Sequence, residues 1–168
     1  MEATDLLRDA IERVRDLVHT TARGLDTEQL ARRPMDRGNS IGWLLWHLTR
    51  IQDDHVAGMI DEQQLWVTGG HATALGFEPD PGDHGYGQTP AEAAAVRISD
   101  PARLVGYHDA VAARSLESLA ATSAADFDSV VDTDYDPPVT AGVRWVSLVS
   151  DCIQHVGQAA YARGLLEL

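Results

Sequence analysis

The chain contains no lysine, one cysteine and no long apolar run, and these absences exclude several classes of protein. All 13 basic residues are arginines, against 26 Asp and Glu residues, so the formal net charge is -13. Such a charge opposes binding to the phosphate backbone of nucleic acids, which attracts clustered Lys and Arg side chains. We therefore expect no nucleic-acid partner.

The single cysteine, Cys152, cannot form an internal disulfide, and residues 1–17 carry charges where a signal peptide would have an apolar core. Even the apolar segment 40–56 meets Arg50 and Asp53 long before the roughly 18 uninterrupted apolar residues of a spanning helix. We expect a cytoplasmic protein with no membrane association. Its 168 residues, 44% of them hydrophobic, suffice for a single domain, 1–168, with a sizeable core.

The spacing of apolar residues predicts four long helices. They run from Ala3 to about Arg23, from Ser40 to about Gln63, from Pro101 to about Thr122 and from Thr140 to about Leu166. The chain has no convincing alternating strands and no repeat of fixed period. The pattern therefore predicts an all-α fold, a four-helix bundle with long connecting loops.

The longest connection lies between the second and third predicted helices. Residues 66–98 hold so many Gly and Pro residues that we predict a loop, with one short helix beginning after Thr89. Loops of this length in compact domains often cover or line a functional site. The alternative is a surface loop that has no functional role.

Three polar side chains in apolar helices form a candidate metal site. Asp151 and His155 are four residues apart, so they project from one face of the fourth helix. His47 lies in the apolar stripe of the second helix. If all three face the same interior, they supply two imidazoles and a carboxylate and leave coordination positions free, as catalytic zinc sites do. A hydrogen-bonded core histidine and a His–Asp hydrogen bond between helices are the alternatives.

Neighbouring residues extend this hypothesis. Arg144, two turns before Asp151, is a candidate for holding an anionic group of a bound cofactor, and an ion pair with an acidic loop is the alternative. Asp54 and His55 are candidates for a fourth ligand or for partners of the ligands, and a solvated helix end is equally compatible. Cys152 points about 100° away from Asp151 around the helix, so we predict a buried core cysteine.

Two segments, NSIGWLLWHLTRIQDDHV at 39–56 and DCIQHVGQAAYARGLL at 151–166, carry a family resemblance. Together they resemble the DinB-like, YfiT-like superfamily of metal-binding four-helix bundles, particularly its mycothiol transferase branch, over nearly the whole chain. The resemblance implies that His47, Asp151 and His155 bind a divalent ion, commonly zinc or nickel. Relatives often have His or Glu at the position of Asp151, which is a shorter carboxylate.

The resemblance also implies an activity. Members of this branch look like transferases that conjugate a low-molecular-weight thiol, here mycothiol, to an electrophilic substrate. A divalent ion supports this reaction because it stabilises the thiolate form of a thiol at neutral pH. Metal-dependent hydrolysis, in which water attacks, is the alternative enzyme activity. A non-catalytic bundle that binds a metal or small ligand, or that forms a homodimer, is the third possibility.

Overall fold

Four long helices form the body of the molecule. A computed structural model describes residues 1–168. The long helices are α1 (Ala3–Ala22), α3 (Ile41–Met59), α7 (Pro101–Ala121) and α8 (Ala141–Leu165). Both α1 and α3 pack against α7 and α8, so α1 and α3 occupy diagonal corners of a bundle. The predicted all-α four-helix architecture is confirmed.

The ends of these helices follow local chemistry. The side chains of Ser40, Asp100 and Thr140 accept hydrogen bonds from backbone N–H groups in the first turns of α3, α7 and α8, respectively. Such caps satisfy N–H groups that have no partner inside the helix. Beyond the end of α1, Gly24 adopts a φ of 74°, a left-handed conformation that glycine tolerates best.

Short elements fill the connections. The connection from α1 to α3 contains α2 (Thr27–Ala31) and a 3-10 turn (Pro34–Asp36). The connection from α3 to α7 contains α4 (Leu65–Thr68), α5 (His71–Leu75) and α6 (Pro90–Ala95). Before α8, two short strands, β1 (Val130–Asp132) and β2 (Val139–Thr140), form an antiparallel pair. None of the helices is both long enough and apolar enough to cross a membrane.

Two details differ from the sequence prediction. Helix α3 ends at Met59 rather than near Gln63, and the predicted loop 66–98 contains α5 and most of α4 as well as the expected short helix. The cause of α4 is a distant carboxylate: Asp53 accepts hydrogen bonds from the N–H groups of Leu65, at 3.0 Å, and Trp66, at 2.7 Å. Local sequence does not reveal this contact.

Helix α3 is the centre of the core. Fifteen of its 19 residues are buried, because the connection to α7 covers the side that α7 and α8 leave open. Its buried set includes His47, Thr49, Arg50, Gln52 and Asp53. A polar group removed from water is costly unless it is hydrogen-bonded, so each of these side chains needs a partner inside the protein.

Candidate metal centre

His47 on α3 and Asp151 and His155 on α8 meet at one point. Each offers a donor atom, and the three atoms lie within 4.8 Å of one another. This limit is slightly wider than the spacing around a bound ion, where bonds of roughly 2.1 Å keep two donors within about 4.2 Å. Only 4% of His47 is exposed, whereas the side chains of Asp151 and His155 are 28% and 20% exposed. The site is therefore deep at His47 and open along α8.

Cys152 helps to set the position of α8 against α3. Its buried Sγ lies 3.7 Å from the carbonyl oxygen of Leu48 and 3.8 Å from Oε1 of Gln52. With Cys152 facing α3, its neighbour Asp151 lies about 100° around the helix, towards His47. The predicted core position of Cys152 is confirmed. Burial raises the pKa of its thiol far above the ordinary value, so this sulfur is not a reactive thiolate.

The hydrogen bond of His47 decides which ring nitrogen is free. Nδ1 lies 2.5 Å from the carbonyl oxygen of His84. A carbonyl oxygen only accepts, so Nδ1 carries the hydrogen and Nε2 keeps its lone pair. Burial is the main cause that lowers the pKa of His47, which favours the neutral ring. The indole of Trp43 stacks on this ring with centroids 4.6 Å apart. His47 is thus held in the form that binds metals.

Asp151 and His155 leave part of their bonding capacity unused. Nε2 of His155 is 3.5 Å from Oδ1 of Asp151, and Nδ1 is 2.9 Å from Oε1 of Gln158. The hydrogen bond with Asp151 is the main cause that raises the pKa of His155. The other oxygen, Oδ2 of Asp151, is buried and has no hydrogen-bond partner. A cation would satisfy it, and two imidazole nitrogens with a carboxylate oxygen suit zinc or a similar divalent ion.

Asp54 and His55, the two candidates for a fourth ligand, do not join this group. Oδ1 of Asp54 accepts a hydrogen bond from Nε2 of Gln64 at 2.7 Å, and Nε2 of His55 is 3.3 Å from Nη1 of Arg144. Three protein donors without a fourth are typical of catalytic zinc sites, whereas structural sites have four.

Arg144 lies near the site but is already paired. Its Nη2 donates a 2.5 Å hydrogen bond to Oδ2 of Asp132 on β1, and its Nη1 contacts His55. This is the ion pair with an acidic loop that the sequence offers as the alternative. A role for Arg144 in binding an anionic cofactor group stays a prediction.

A pocket of about 290 Å³ adjoins His47. It lies between the start of α3 and the connection before α6, and its lining includes Arg37, Asn39, Trp43, Tyr86 and Gln88. Nε1 of Trp43 donates to Oε1 of Gln88 at 2.8 Å. The guanidinium of Arg37 has no partner, although the Arg37 carbonyl accepts a hydrogen bond from Arg33. The long connection lines this pocket with Tyr86 and Gln88, and its role at a functional site stays a prediction. Sequence reasoning missed Arg37, Asn39 and Tyr86.

Comparisons with known proteins agree with the fold. A model of the DinB superfamily matches residues 10–159, a range that contains His47, Asp151 and His155. A crystal structure of a conserved protein from Enterococcus faecalis superposes with a TM-score of 0.87 at 28% sequence identity, covering 98% of this chain and 97% of that chain. No functionally curated protein matches. Because the family model spans most of the residues, the chain belongs to the DinB superfamily.

Proposed function

We propose that this protein is a metal-dependent S-transferase that conjugates a low-molecular-weight thiol of the mycothiol type to an electrophile. One observation carries the proposal: donor atoms of His47, Asp151 and His155 lie within 4.8 Å of one another, and no fourth protein ligand completes the group. The family membership and the sequence resemblance support it. Zinc suits the donor set best, and nickel is the second candidate.

The chain's own residues prepare the site for this chemistry. His47 presents Nε2 as a neutral donor, and Asp151 adds a negative charge with one oxygen still without a partner. When bound, a divalent ion would lower the pKa of a coordinating thiol and so favour the thiolate. In the reaction, sulfur forms a bond to the electrophilic carbon, the thiol proton passes to solvent, and in a displacement the leaving group departs with its bonding electrons.

We assign the electrophile to the pocket beside His47. The pocket combines the aromatic rings of Trp43 and Tyr86 with the unpaired guanidinium of Arg37. Aromatic walls favour a planar apolar group, and a free guanidinium favours a carboxylate. A small aromatic or conjugated acid therefore fits this lining better than a cation does.

The decisive experiment removes one donor. Zinc affinity is measured by titration calorimetry, and conjugation of mycothiol to monochlorobimane is followed, for wild type, His155→Ala and the control His71→Ala. His71 lies on α5 and is outside the group of donors. In His155→Ala, conjugation stops and zinc affinity falls by more than roughly 10- to 100-fold, which is the typical effect of removing a hydrogen-bond partner of a metal ligand rather than the ligand itself. Retained zinc with unchanged turnover in this variant would overturn the proposal.

The same preparation separates the alternatives. An S-transferase requires mycothiol, whereas a hydrolase acts on a suitable ester or amide without it. A protein that binds zinc tightly and accelerates neither reaction is a non-catalytic binding bundle. The partly exposed Asp151 and His155 and the absence of a fourth ligand favour the catalytic alternatives.

A further inference from the structure

Arg50, three residues after His47, is a cation with no exposed surface. Its Nε donates to the carbonyl oxygen of Asp83 at 3.0 Å, and its Nη2 donates to the carbonyl oxygen of Pro81 at 3.0 Å and to Oε1 of Gln64 at 2.7 Å. Its Nη1 donates to the hydroxyl of Tyr107 at 3.2 Å. Partners surround this guanidinium, so it cannot turn towards a ligand. Two of its bonds instead hold backbone of the connection before α6.

The same stretch of backbone holds His47. We call residues 81–88 the strap. The carbonyl of His84, which accepts from Nδ1 of His47, is one residue beyond the carbonyl of Asp83, which accepts from Arg50. The two side chains of α3 therefore bind successive carbonyl groups of the strap. Any shift of the strap away from Arg50 would also remove the acceptor of His47.

Gly85 lets the strap approach this closely. It is buried and has a φ of 86°. A Cβ atom at this position would lie 2.9 Å from Nδ1 of His47, 3.0 Å from the ring of Trp46 and 3.2 Å from the ring of Trp43. Gly87 has a similar φ of 77°, but nothing lies within 4 Å of a Cβ atom built there. Of these two glycines, only Gly85, which lies against His47, has no room for a side chain.

We propose that Arg50 is a positioning residue for His47: by holding the Pro81 and Asp83 carbonyls, it keeps the His84 carbonyl on Nδ1. The imidazole is then fixed as the tautomer whose Nε2 is free to bind a cation. Hydrogen-bond partners of this kind orient metal-binding histidines and raise metal affinity. The effect of Arg50 on metal binding rests on the proposed function, whereas the tautomer of His47 follows from its hydrogen bond to the His84 carbonyl alone.

The first test compares two glycines of the strap. Long-range proton–nitrogen correlation NMR of the metal-free protein reports the tautomer of each histidine at alkaline pH, where imidazoles are neutral. In wild type and in Gly87→Ala, His47 keeps its hydrogen on Nδ1. In Gly85→Ala the strap is displaced, the Nε2–H tautomer appears, and zinc affinity falls about 10- to 100-fold. An unchanged tautomer and affinity in Gly85→Ala would overturn the proposal.

The second test compares two arginines near Asp53. Arg50→Met removes the donors to the strap, whereas the control Arg114→Met removes a guanidinium that bonds Glu62 and the Gln63 carbonyl and lies 3.8 Å from Asp53. Arg50→Met changes the His47 tautomer and weakens zinc binding about 10- to 100-fold, whereas Arg114→Met changes neither. An Arg50→Met protein that keeps the wild-type tautomer would show that Arg50 acts on stability alone.

These readouts separate the positioning role from the proposed function. If wild type binds no zinc, the transferase proposal fails, and the tautomer of His47 still decides the role of Arg50. If Arg50→Met does not fold, the pair Gly85→Ala and Gly87→Ala decides whether the strap that Arg50 holds sets the tautomer of His47, because the Arg50 side chain is present in both variants and a Cβ atom at position 85 alone collides with His47.

Discussion

Two groups of polar side chains are built on α3, and they differ in how fully their hydrogen bonds are made. On the side towards α7, which we call the α7-facing cluster, lie Arg50, Asp53, Gln64, Tyr107 and the pair Thr49–His108. The Asp53 carboxylate accepts from the hydroxyl of Tyr107 and from two backbone N–H groups. In this cluster, every buried polar atom has a hydrogen-bond partner except Nε2 of His108.

On the side towards α8 lies the α8-facing cluster, His47, Asp151 and His155. Here one buried carboxylate oxygen has no partner, and the tautomer of His47 leaves a nitrogen lone pair free. Buried polar groups in folded proteins are normally satisfied, so an exception calls for an explanation. The difference teaches that the α7-facing cluster, in which every charged group has a partner, serves the stability of the fold, whereas the free oxygen and lone pair of the α8-facing cluster fit the proposed metal site.

The same substitution in each cluster gives the largest expected contrast. Asp53→Asn removes the charge beside buried Arg50, whose Nη1 is 3.7 Å from Oδ2 of Asp53, and should lower the free energy of unfolding by about 3–5 kcal/mol. Asp151→Asn should leave stability unchanged or slightly higher, because it removes the charge from a carboxylate oxygen that has no partner. Urea denaturation measures both.

Zinc titration of the same two variants completes the contrast. Asp151→Asn loses zinc binding, because a neutral amide replaces the carboxylate donor. Asp53→Asn keeps it, since Asp53 contacts neither the strap nor the α8-facing cluster. If Asp151→Asn destabilised the fold as much as Asp53→Asn does, the division between a structural and a functional cluster would be wrong.

A pH series addresses the histidines of the two clusters, beginning with His108. Thr49 uses its hydroxyl hydrogen on the Leu45 carbonyl, so His108 donates from Nδ1 to Thr49, and Nε2 of His108 is buried without a partner. Burial lowers the pKa of His108 from 6.5 to about 4. Between pH 6.5 and 4, His108 is therefore protonated in the unfolded chain and neutral in the folded chain. As the pH falls through this range, about 3 kcal/mol of the free energy of unfolding is lost.

The measurement is the free energy of unfolding of wild type and His108→Gln across this pH range. The variant should show a shallower decline, and parallel curves would show that His108 does not cause it. His155 acts in the opposite direction, because Asp151 raises its pKa in the folded protein. Its contribution to the free energy of unfolding is complete below the pKa that it has in the unfolded chain, and it is lost as the pH rises through the pKa that it has in the folded protein. His108 and His155 thus respond oppositely to acid, whereas His47, whose pKa is lowered mainly by burial, responds in the same direction as His108.

The smallest expected effect concerns the pocket beside the α8-facing cluster. Arg37→Gln should raise the KM for a carboxylate-bearing electrophile, such as a chloronitrobenzoate, about 2- to 5-fold, the size of an exposed ion pair. The KM for neutral monochlorobimane should not change. Arg23→Gln is the matched control, because Arg23 lines a different pocket. Equal effects of both variants would indicate a general influence of charge rather than recognition at Arg37.

Much of the α8-facing cluster was predictable because helix geometry is local. Asp151 and His155 lie one turn apart in a regular helix, so they share a face wherever that helix packs. His47 stood out as a polar residue in an apolar stripe. The family resemblance then linked segments that are about a hundred residues apart, a connection that spacing alone does not make.

The α7-facing cluster was not predicted. In the sequence, Arg50 and Asp53 are simply charges that interrupt an apolar segment, and charges in a helix are usually solvated. Their partners Gln64 and Tyr107 come from other elements and are chosen only when the chain folds. The same holds for α4, whose first N–H groups bind the Asp53 carboxylate.

The helical period therefore determined which residues share a face, and with it the four helices, their approximate ends and the pairing of Asp151 with His155. Only the tertiary structure decided the position and rotation of α8 relative to α3. In that arrangement Cys152 contacts Leu48, and His47 lies beside the donor atoms of α8. Folding also decided where the strap lies. The reason is physical: backbone hydrogen bonds set the geometry within a helix, but only side-chain packing and buried hydrogen bonds set the geometry between elements.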